Sequence, residues 1–480
     1  MAEANKVKSN LIYILGILLM CVGMQFANYG TAVCVSGEVT KMDVAQYYVL
    51  VTAMGTLGML LILPIVGKLT AIVGQRNMIL IGILVQVSGR VLMMVSGHWI
   101  SYALSYLLQS IGGGCYISSA YVNMTAAVGP SDRAKYFGYI AVANAVGAIL
   151  GPILISNVYA AGGIMAKLAY IANLPLTLVG FAMIYKYCPN TKKPGAAKGF
   201  DYIGLFLTVI GLACFLLFLN LSGKMFTWFS VPSTILLILG VVALFLLVRR
   251  ESSIANPAVP IKMFKNKRLT YAFICALVAA AYSSCSASYS VMWIRMNFTS
   301  FPGFTFFSGT ATLAQQIVIL ILGMFLGGYI GKKFVKRFRI FGILSMVAAM
   351  VATGTLFCLR FTGTAAGGNV ASIGNVPLGM IMIYVATAIG GFTSVVSQST
   401  LTAFWQSNTP REDIPSGQAL YSVGSTGGSC IFGAVAGVVL GTSGDYSRVF
   451  ATGFVFATIG LICALVGFKF TKEEIEAANE

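Results

Sequence analysis

The chain has 480 residues, 58% of them hydrophobic and only 9% charged, a balance that excludes a soluble globular domain. Its formal net charge of +18 would suggest nucleic acid in a soluble protein, but the cations sit in short loops along an apolar chain, so they report membrane topology and no nucleic-acid partner is expected. Ten cysteines lie singly without a CxxC, and the one histidine, His98, falls at a span boundary, so neither a disulfide framework nor a metal or other cofactor is expected.

About 20 apolar residues cross the hydrocarbon core of a bilayer. On that measure the chain holds fourteen spans: 11–35, 45–66, 77–97, 100–124, 136–159, 165–187, 201–221, 231–248, 269–293, 305–330, 339–360, 376–404, 416–440 and 447–469. Lys6 and Lys8 precede the first, which is too long for a signal-peptide core and reads as retained. An even number of spans puts both termini on one side. The loops with Lys68 and Arg76, Arg133 and Lys135, Lys192, Lys193 and Lys198, 249–268, and Lys332 to Arg339 share that side, while opposite loops hold isolated cations such as Lys41, Lys167 and Lys224. That excess predicts a multi-pass cell-membrane protein with both termini cytoplasmic.

Two basic segments, CPNTKKPGAAKGF at 188–200 and RRESSIANPAVPIKMFKNKR at 249–268, bracket the seventh and eighth spans. The predicted plan is an all-α bundle of 6+2+6 spans: a six-helix bundle over 1–187, two additional helices with basic linkers over 188–268, and a second six-helix bundle over 269–480.

Polar residues inside the spans fall in stripes. Span 1 places Gln25, Asn28 and Tyr29 on one face near its centre. Span 4 carries Tyr102, Tyr106, Gln109, Tyr116 and Asn123 at helical spacing, with Gly113 opening a gap in the stripe. Span 9 offers Tyr282, Ser286, Tyr289 and Trp293, and span 12 offers Tyr384, Thr387, Ser394 and Gln398, with Gln315 and Gln316 of span 10 as weaker additions. Such faces avoid lipid. They either line a translocation route or glue helices together. Aromatic walls with a few amides and hydroxyls suit a large amphipathic ligand.

The charge inside a span is positive. Arg90 lies about 13 residues into span 3, roughly 20 Å deep in a core of about 30 Å. It either snorkels to the outer headgroups or serves as an anion-attracting or gating group. Arg295 and Arg360 at outer span ends read as interface anchors. The acidic residues nearest the spans, Glu38, Asp43, Asp132, Asp201, Glu251, Glu412, Asp413 and Asp445, fall at ends or loops, so no carboxylate is expected near the midplane.

Five stretches carry a resemblance. GKLTAIVGQRN, with Gly67, Leu69, Gly74 and Arg76, resembles the signature loop of the major facilitator superfamily, where the basic side chain acts as an inner-gate latch at the negative end of a neighbouring helix. GAILGPILIS, with Gly147, Gly151 and Pro152, resembles that superfamily's antiporter motif. AKLAYIANLP, FDYIGLFLTVIG and NPAVPIKMFKNKRL are similar in order and spacing to its fourteen-span drug:proton antiporter-2 branch, a multidrug-efflux type in which bile-acid transporter-like members also fall. The resemblance implies the major facilitator fold, with the first and fourth helices of each half lining a central cavity. Three departures stand out: Ala71 replaces the signature loop's acid, Ala27 stands where span 1 of the branch usually has one, and Tyr106 stands where span 4 usually has arginine.

The expectation is a monomeric secondary active transporter of amphipathic organic compounds working by alternating access, drug-efflux-like, coupled to protons or to an exchange substrate. The alternative is a transporter or exchanger of amphipathic organic anions such as bile acids, without a membrane-embedded carboxylate for proton coupling. No GxxxxGK[ST] appears for ATP, and no buried nucleophile, base or paired acids suggest an enzyme.

Overall fold

Helices follow the apolar runs closely in the computed structural model, which describes residues 2–44, 47–129, 132–192, 201–223, 225–254, 257–290, 293, 313–323, 325, 334–362, 372–373, 376–443 and 445–468. In the first part of the chain α1 is Ala2–Lys41, α2 Tyr48–Val73, α3 Gln75–Val95, α4 Trp99–Ala127 and α5 Arg133–Ala160. The short α6, Gly163–Leu168, joins α7, Leu174–Tyr187, through a 3-10 turn to make one span. Next come α8, Tyr202–Leu221, and α9, Val231–Ser253.

The later helices are α10, Lys267–Ser284, continued by a π-helical turn Cys285–Tyr289; α11, Leu313–Gly323; and α12, Phe334–Phe357. A two-residue antiparallel ladder, β1 Ser372–Ile373 with β2 Val376–Pro377, leads into α13, Leu378–Val395. A second π turn, Val396–Leu401, carries α13 into α14, Thr402–Ser407. The chain closes with α15, Ile414–Ser443, and α16, Tyr446–Gly467.

Among the described residues eleven helices are long and apolar enough to cross a membrane. Each coincides with one expected span. Span 4 forms the 29-residue α4, ample in length and outside those eleven because its polar stripe lowers its hydropathy. Span 9 is α10 plus its π turn. Most of span 10, and Arg295, lie outside the described residues.

The chain divides into two compact units, Met1–Lys265 with Gln406–Val423, and Asn266–Trp405 with Gly424–Glu480. In the first unit α1 packs on α5 and α7, α4 lies against α2 and α3, and the hairpin α8–α9 rests through α8 on α2. Lipid offers no hydrophobic drive between helices, so close approach of backbones must supply the attraction. Glycine makes that approach available. A Cβ at Gly112 of α4 would lie 2.7 Å from Gln86 Cα, and one at Gly89 of α3 would lie 2.5 Å from the Gln109 nitrogen. The antiporter-motif glycines act alike between α5 and α1: a Cβ at Gly147 would lie 2.7 Å from the Phe26 nitrogen and one at Gly151 3.0 Å from Phe26 Cα, with Pro152 following inside the helix.

In the second unit α16 packs on α10 and α12, and α12 also on α13, around a core that includes Cys285, Leu356, Phe432 and Phe450. Phe338 and Phe404 stack at 4.1 Å with Phe468 edge-on to both.

Candidate functional site

The polar centre of the first unit follows from the glycine contact between α3 and α4. With those backbones touching, Gln86 and Arg90, one turn apart on α3, face Gln109 of α4 and Asn28 of α1. The Asn28 amide oxygen accepts three hydrogen bonds, from Gln86 Nε2 at 2.8 Å, Gln109 Nε2 at 3.2 Å and Arg90 Nη2 at 3.3 Å. Its amide nitrogen donates to Gln25 Oε1 at 3.3 Å, and Arg90 Nη1 donates to Thr31 Oγ1 at 3.4 Å.

Arg90 is 1% exposed, Gln86 0% and Gln109 2%. Snorkelling, one of the two roles open to Arg90, is therefore ruled out: the side chain turns into the bundle and its cation is held by α1. Three buried polar atoms in the cluster have no partner: Arg90 Nε and the Oε1 atoms of Gln86 and Gln109. Nor does Arg90 meet a carboxylate: its hydrogen-bond partners are the Asn28 amide oxygen and the Thr31 hydroxyl. A guanidinium stays protonated in a protein, so the cluster keeps a full positive charge in a buried setting, an arrangement costly unless something negative relieves it.

Gly113 leaves room for a methyl group beside this centre. A Cβ at Gly113 would come no nearer than 4.0 Å to Asn28 Nδ2 and Gln86 Nε2, unlike one at neighbouring Gly112. Tyr106 is half-buried within electrostatic reach of Arg90. Tyr116 is buried near Cys21 of α1, and Tyr29 is 47% exposed and takes no part in the cluster, although the span 1 stripe grouped it with Gln25 and Asn28. Both ends of the span 4 stripe serve packing: the Tyr102 and Tyr170 hydroxyls meet at 3.2 Å, and Asn123 Nδ2 donates to the Gln75 and Ser119 carbonyls. Sequence reading overlooked Gln86 and Thr31. The signal for Gln86 was its position four residues before Arg90 on one helix face.

In the second unit Gln315 is the hub, its Nε2 donating to Ser283 Oγ at 3.1 Å and Ser394 Oγ at 3.0 Å. Tyr282 donates to the Ala386 carbonyl, and Tyr282 and Ser286 face Gly390 of α13. Trp293 packs on Gly379 at the start of the same helix. Tyr289 departs from this face, because the π turn advances the chain by less than an α-helix would per residue; its hydroxyl donates to the Gly433 carbonyl of α15 at 3.2 Å and its ring meets Phe432. Gln398 falls inside the second π turn and is half-buried.

The signature loop closes tightly between α2 and α3. Gly74 has φ +99°, a value that glycine alone adopts freely. Arg76 Nη1 reaches the Tyr185 carbonyl in the last turn of α7 at 3.5 Å, its guanidinium lies 5.6 Å from the Tyr185 ring, and Nε and Nη2 approach Asn77 Oδ1 at 3.3 and 3.4 Å. The cation thus sits at the negative end of a helix. Gly67 lies against the Pro415 carbonyl, where a Cβ would come within 2.6 Å. His98 caps α4, its Nδ1 accepting from the Ile100 nitrogen at 3.3 Å, and Arg360 is exposed over the rings of Phe357 and Phe361. All ten cysteines are free thiols.

Many apolar spans, glycine-packed and with their polar side chains turned into the bundle, define a multi-pass membrane protein. The Major Facilitator Superfamily matches the chain over residues 15–382, and the chain belongs to that family. It is 22% identical over 375 residues to the multidrug transporter protein MdtP of Bacillus subtilis, covering 78% of this chain and 65% of MdtP. It is 22% identical over 348 residues to multidrug resistance protein 3 of the same organism, covering 72% of this chain and 66% of that protein. The chain therefore spans just under two thirds of the length of these curated relatives. A crystal structure of the E. coli fucose:proton symporter FucP superposes with a TM-score of 0.62 at 12% identity, covering 96% of this chain and all of that one, and shares its fold.

Proposed function

We propose that the chain is a secondary active transporter of amphipathic organic compounds, working by alternating access, of the multidrug-efflux kind suggested by its relatives' names. Its place is the fourteen-span drug:proton antiporter-2 branch, with bundles over 1–187 and 269–480 flanking two additional helices over 188–268, both termini in the cytoplasm of a cell-membrane monomer, and protons or an exchange substrate as the driving partner. The observation that carries this reading is the buried cluster of Asn28, Gln86, Arg90 and Gln109, with unmatched polar atoms on Arg90, Gln86 and Gln109. Gln25, Tyr29, Tyr106 and Tyr116 extend the substrate path in the first unit, and Tyr282, Ser286, Tyr289, Trp293, Ser394 and Gln398 supply it in the second. Gly67, Gly74 and Arg76 form the inner gate. The test is gradient-driven movement of amphipathic compounds in proteoliposomes: accumulation above protein-free vesicles is expected, and none with any amphipath under any imposed gradient removes the reading.

A second reading, transport or exchange of amphipathic organic anions such as bile acids, is favoured by one observation. Arg90 brings a positive charge into the bundle with no carboxylate beside it. An acidic substrate can carry its own proton, which dispenses with a protein carboxylate. Ligands that prefer the folded state raise its thermal stability, so amphipathic carboxylates should stabilise the purified protein more than amphipathic cations do. The reverse order rejects the anion reading and leaves the drug-like one.

A further inference from the structure

Asn28 occupies an unusual chemical position. Its amide oxygen stands where a counter-carboxylate for Arg90 would stand, taking hydrogen bonds from the guanidinium and two glutamine amides at 2.8 to 3.3 Å. A carboxylate of the same shape could accept all three. It could not make the fourth contact, because the Asn28 nitrogen donates to Gln25 Oε1, where a carboxylate oxygen would face another oxygen. The Gln25 contact fixes which way the amide points, with oxygen toward the cation. Asn28 therefore orders Arg90, Gln86 and Gln109 and leaves the positive charge of Arg90 uncancelled.

We propose that Asn28 is the charge-specificity determinant of this site, a neutral placeholder for a counter-ion that keeps Arg90 positioned yet available to a negatively charged group of the substrate. The inference rests on the anion reading of the same site and adds which residue sets that preference. An incoming carboxylate would take up the unpartnered Arg90 Nε–H, while the unmatched Gln86 and Gln109 oxygens would accept from hydroxyl groups of the ligand. Asn28→Asp changes almost no volume and cancels the charge. It turns an anion-seeking site into an internally paired one, and its effect separates specificity from mere helix packing, which an isosteric change would spare.

The experiment uses the full chain in proteoliposomes and in detergent, with cholate as the amphipathic carboxylate and tetraphenylphosphonium as the amphipathic cation. Wild type should respond to cholate. Asn28→Asp should lose roughly tenfold or more of that response while keeping its elution profile, the scale of losing one close charge partner. Asn28→Ala, which removes the oxygen without adding charge, should weaken cholate binding but keep the preference for cholate over tetraphenylphosphonium, so the inference stays testable if Asn28→Asp does not fold. The double change Asn28→Asp with Arg90→Gln reverses the charge and should reverse the preference. Undiminished cholate handling by folded Asn28→Asp, or a reversed preference in Asn28→Ala, overturns the proposal. A wild type indifferent to cholate, with tetraphenylphosphonium binding gained in Asn28→Asp or in the double variant, would retain Asn28 as the determinant and discard the anion reading; no charge-dependent response in any variant would discard both.

Discussion

The two units solve the problem of polarity in a membrane differently. The first gathers its polar side chains around a charged guanidinium, leaves three buried atoms unmatched, and fixes the arrangement by direct backbone contact between α3 and α4 at Gly89 and Gly112. The second gathers uncharged groups around Gln315, with both amide hydrogens engaged by serine hydroxyls, and interrupts its helices with π turns at Cys285–Tyr289 and Val396–Leu401. The contrast separates recognition from adaptability. A charge held on a rigid scaffold can discriminate, whereas neutral hydroxyls beside irregular helix turns can rearrange at low cost.

The strongest way to break this comparison is to remove the charge. Arg90→Ala should reduce transport of an amphipathic carboxylate by at least about thirtyfold, as expected for losing a desolvated charge partner, with little loss of folded protein because no buried carboxylate is left behind. Equal transport by the variant in proteoliposomes would show that the first unit's charge is not used for recognition.

The rigid scaffold is tested by two adjacent glycines. Gly112→Ala brings a methyl within 2.7 Å of Gln86 Cα and should destabilise by about 1–3 kcal/mol, read as a lower unfolding temperature in detergent. Gly113→Ala, whose nearest neighbours stand at 4.0 Å, should stay within about 0.5 kcal/mol of wild type. Similar losses from both would mean that the α3–α4 contact is looser than described.

In the second unit Gln315→Ala deletes two neutral hydrogen bonds worth about 1 kcal/mol each. Transport should fall only a few-fold, and cation-versus-anion preference should not move. A changed preference would erase the proposed division of labour.

The smallest effect belongs to a control away from both centres. Asp201 caps α8, and the Arg250 guanidinium, followed by the Gly204 N–H, holds its carboxyl below the usual carboxylate value. A depressed folded value means the contribution is present above the unfolded value near 3.8 and is lost as pH falls through the folded value. Asp201→Asn should therefore unfold slightly earlier than wild type at pH 7, with the gap closing as the solution is taken below about pH 4. A gap unchanged at low pH would show that the pair contributes nothing to stability.

The helices were legible because apolar length is written directly in composition, and the span 4 stripe was legible because its spacing is helical. Gln109 and Asn28 entered the cluster on those grounds. What could not be read was direction. Whether Arg90 turns outward or inward depends on which faces of α3 and α4 meet, and that is set by Gly89 and Gly112 jointly, a relation between two helices that neither sequence stretch contains alone. Gln86 shares the Arg90 face by its i, i+4 spacing, but that this face turns inward is again set by the contact between the two helices. An unbroken α-helix would put Tyr289 on the Tyr282 face, and nothing in CSASY announces a π turn.

The segment that leads out of α7 has a consequence for the helix pair that follows. Asn190 Oδ1 accepts from the Asn77 nitrogen at 3.4 Å, its Nδ2 donates to the Val73 carbonyl at 3.4 Å, and the Thr191 carbonyl accepts from the Gln75 nitrogen at 3.2 Å. The tether to α8 thus stitches shut the hairpin bend that carries the signature motif. Splicing α7 directly to α10, to make a shortened transporter, would not trim an ornament. It would pull out the thread that holds Arg76 against its helix end, and the trimmed protein would need a replacement for Asn190 before its α2–α3 bend could keep its shape.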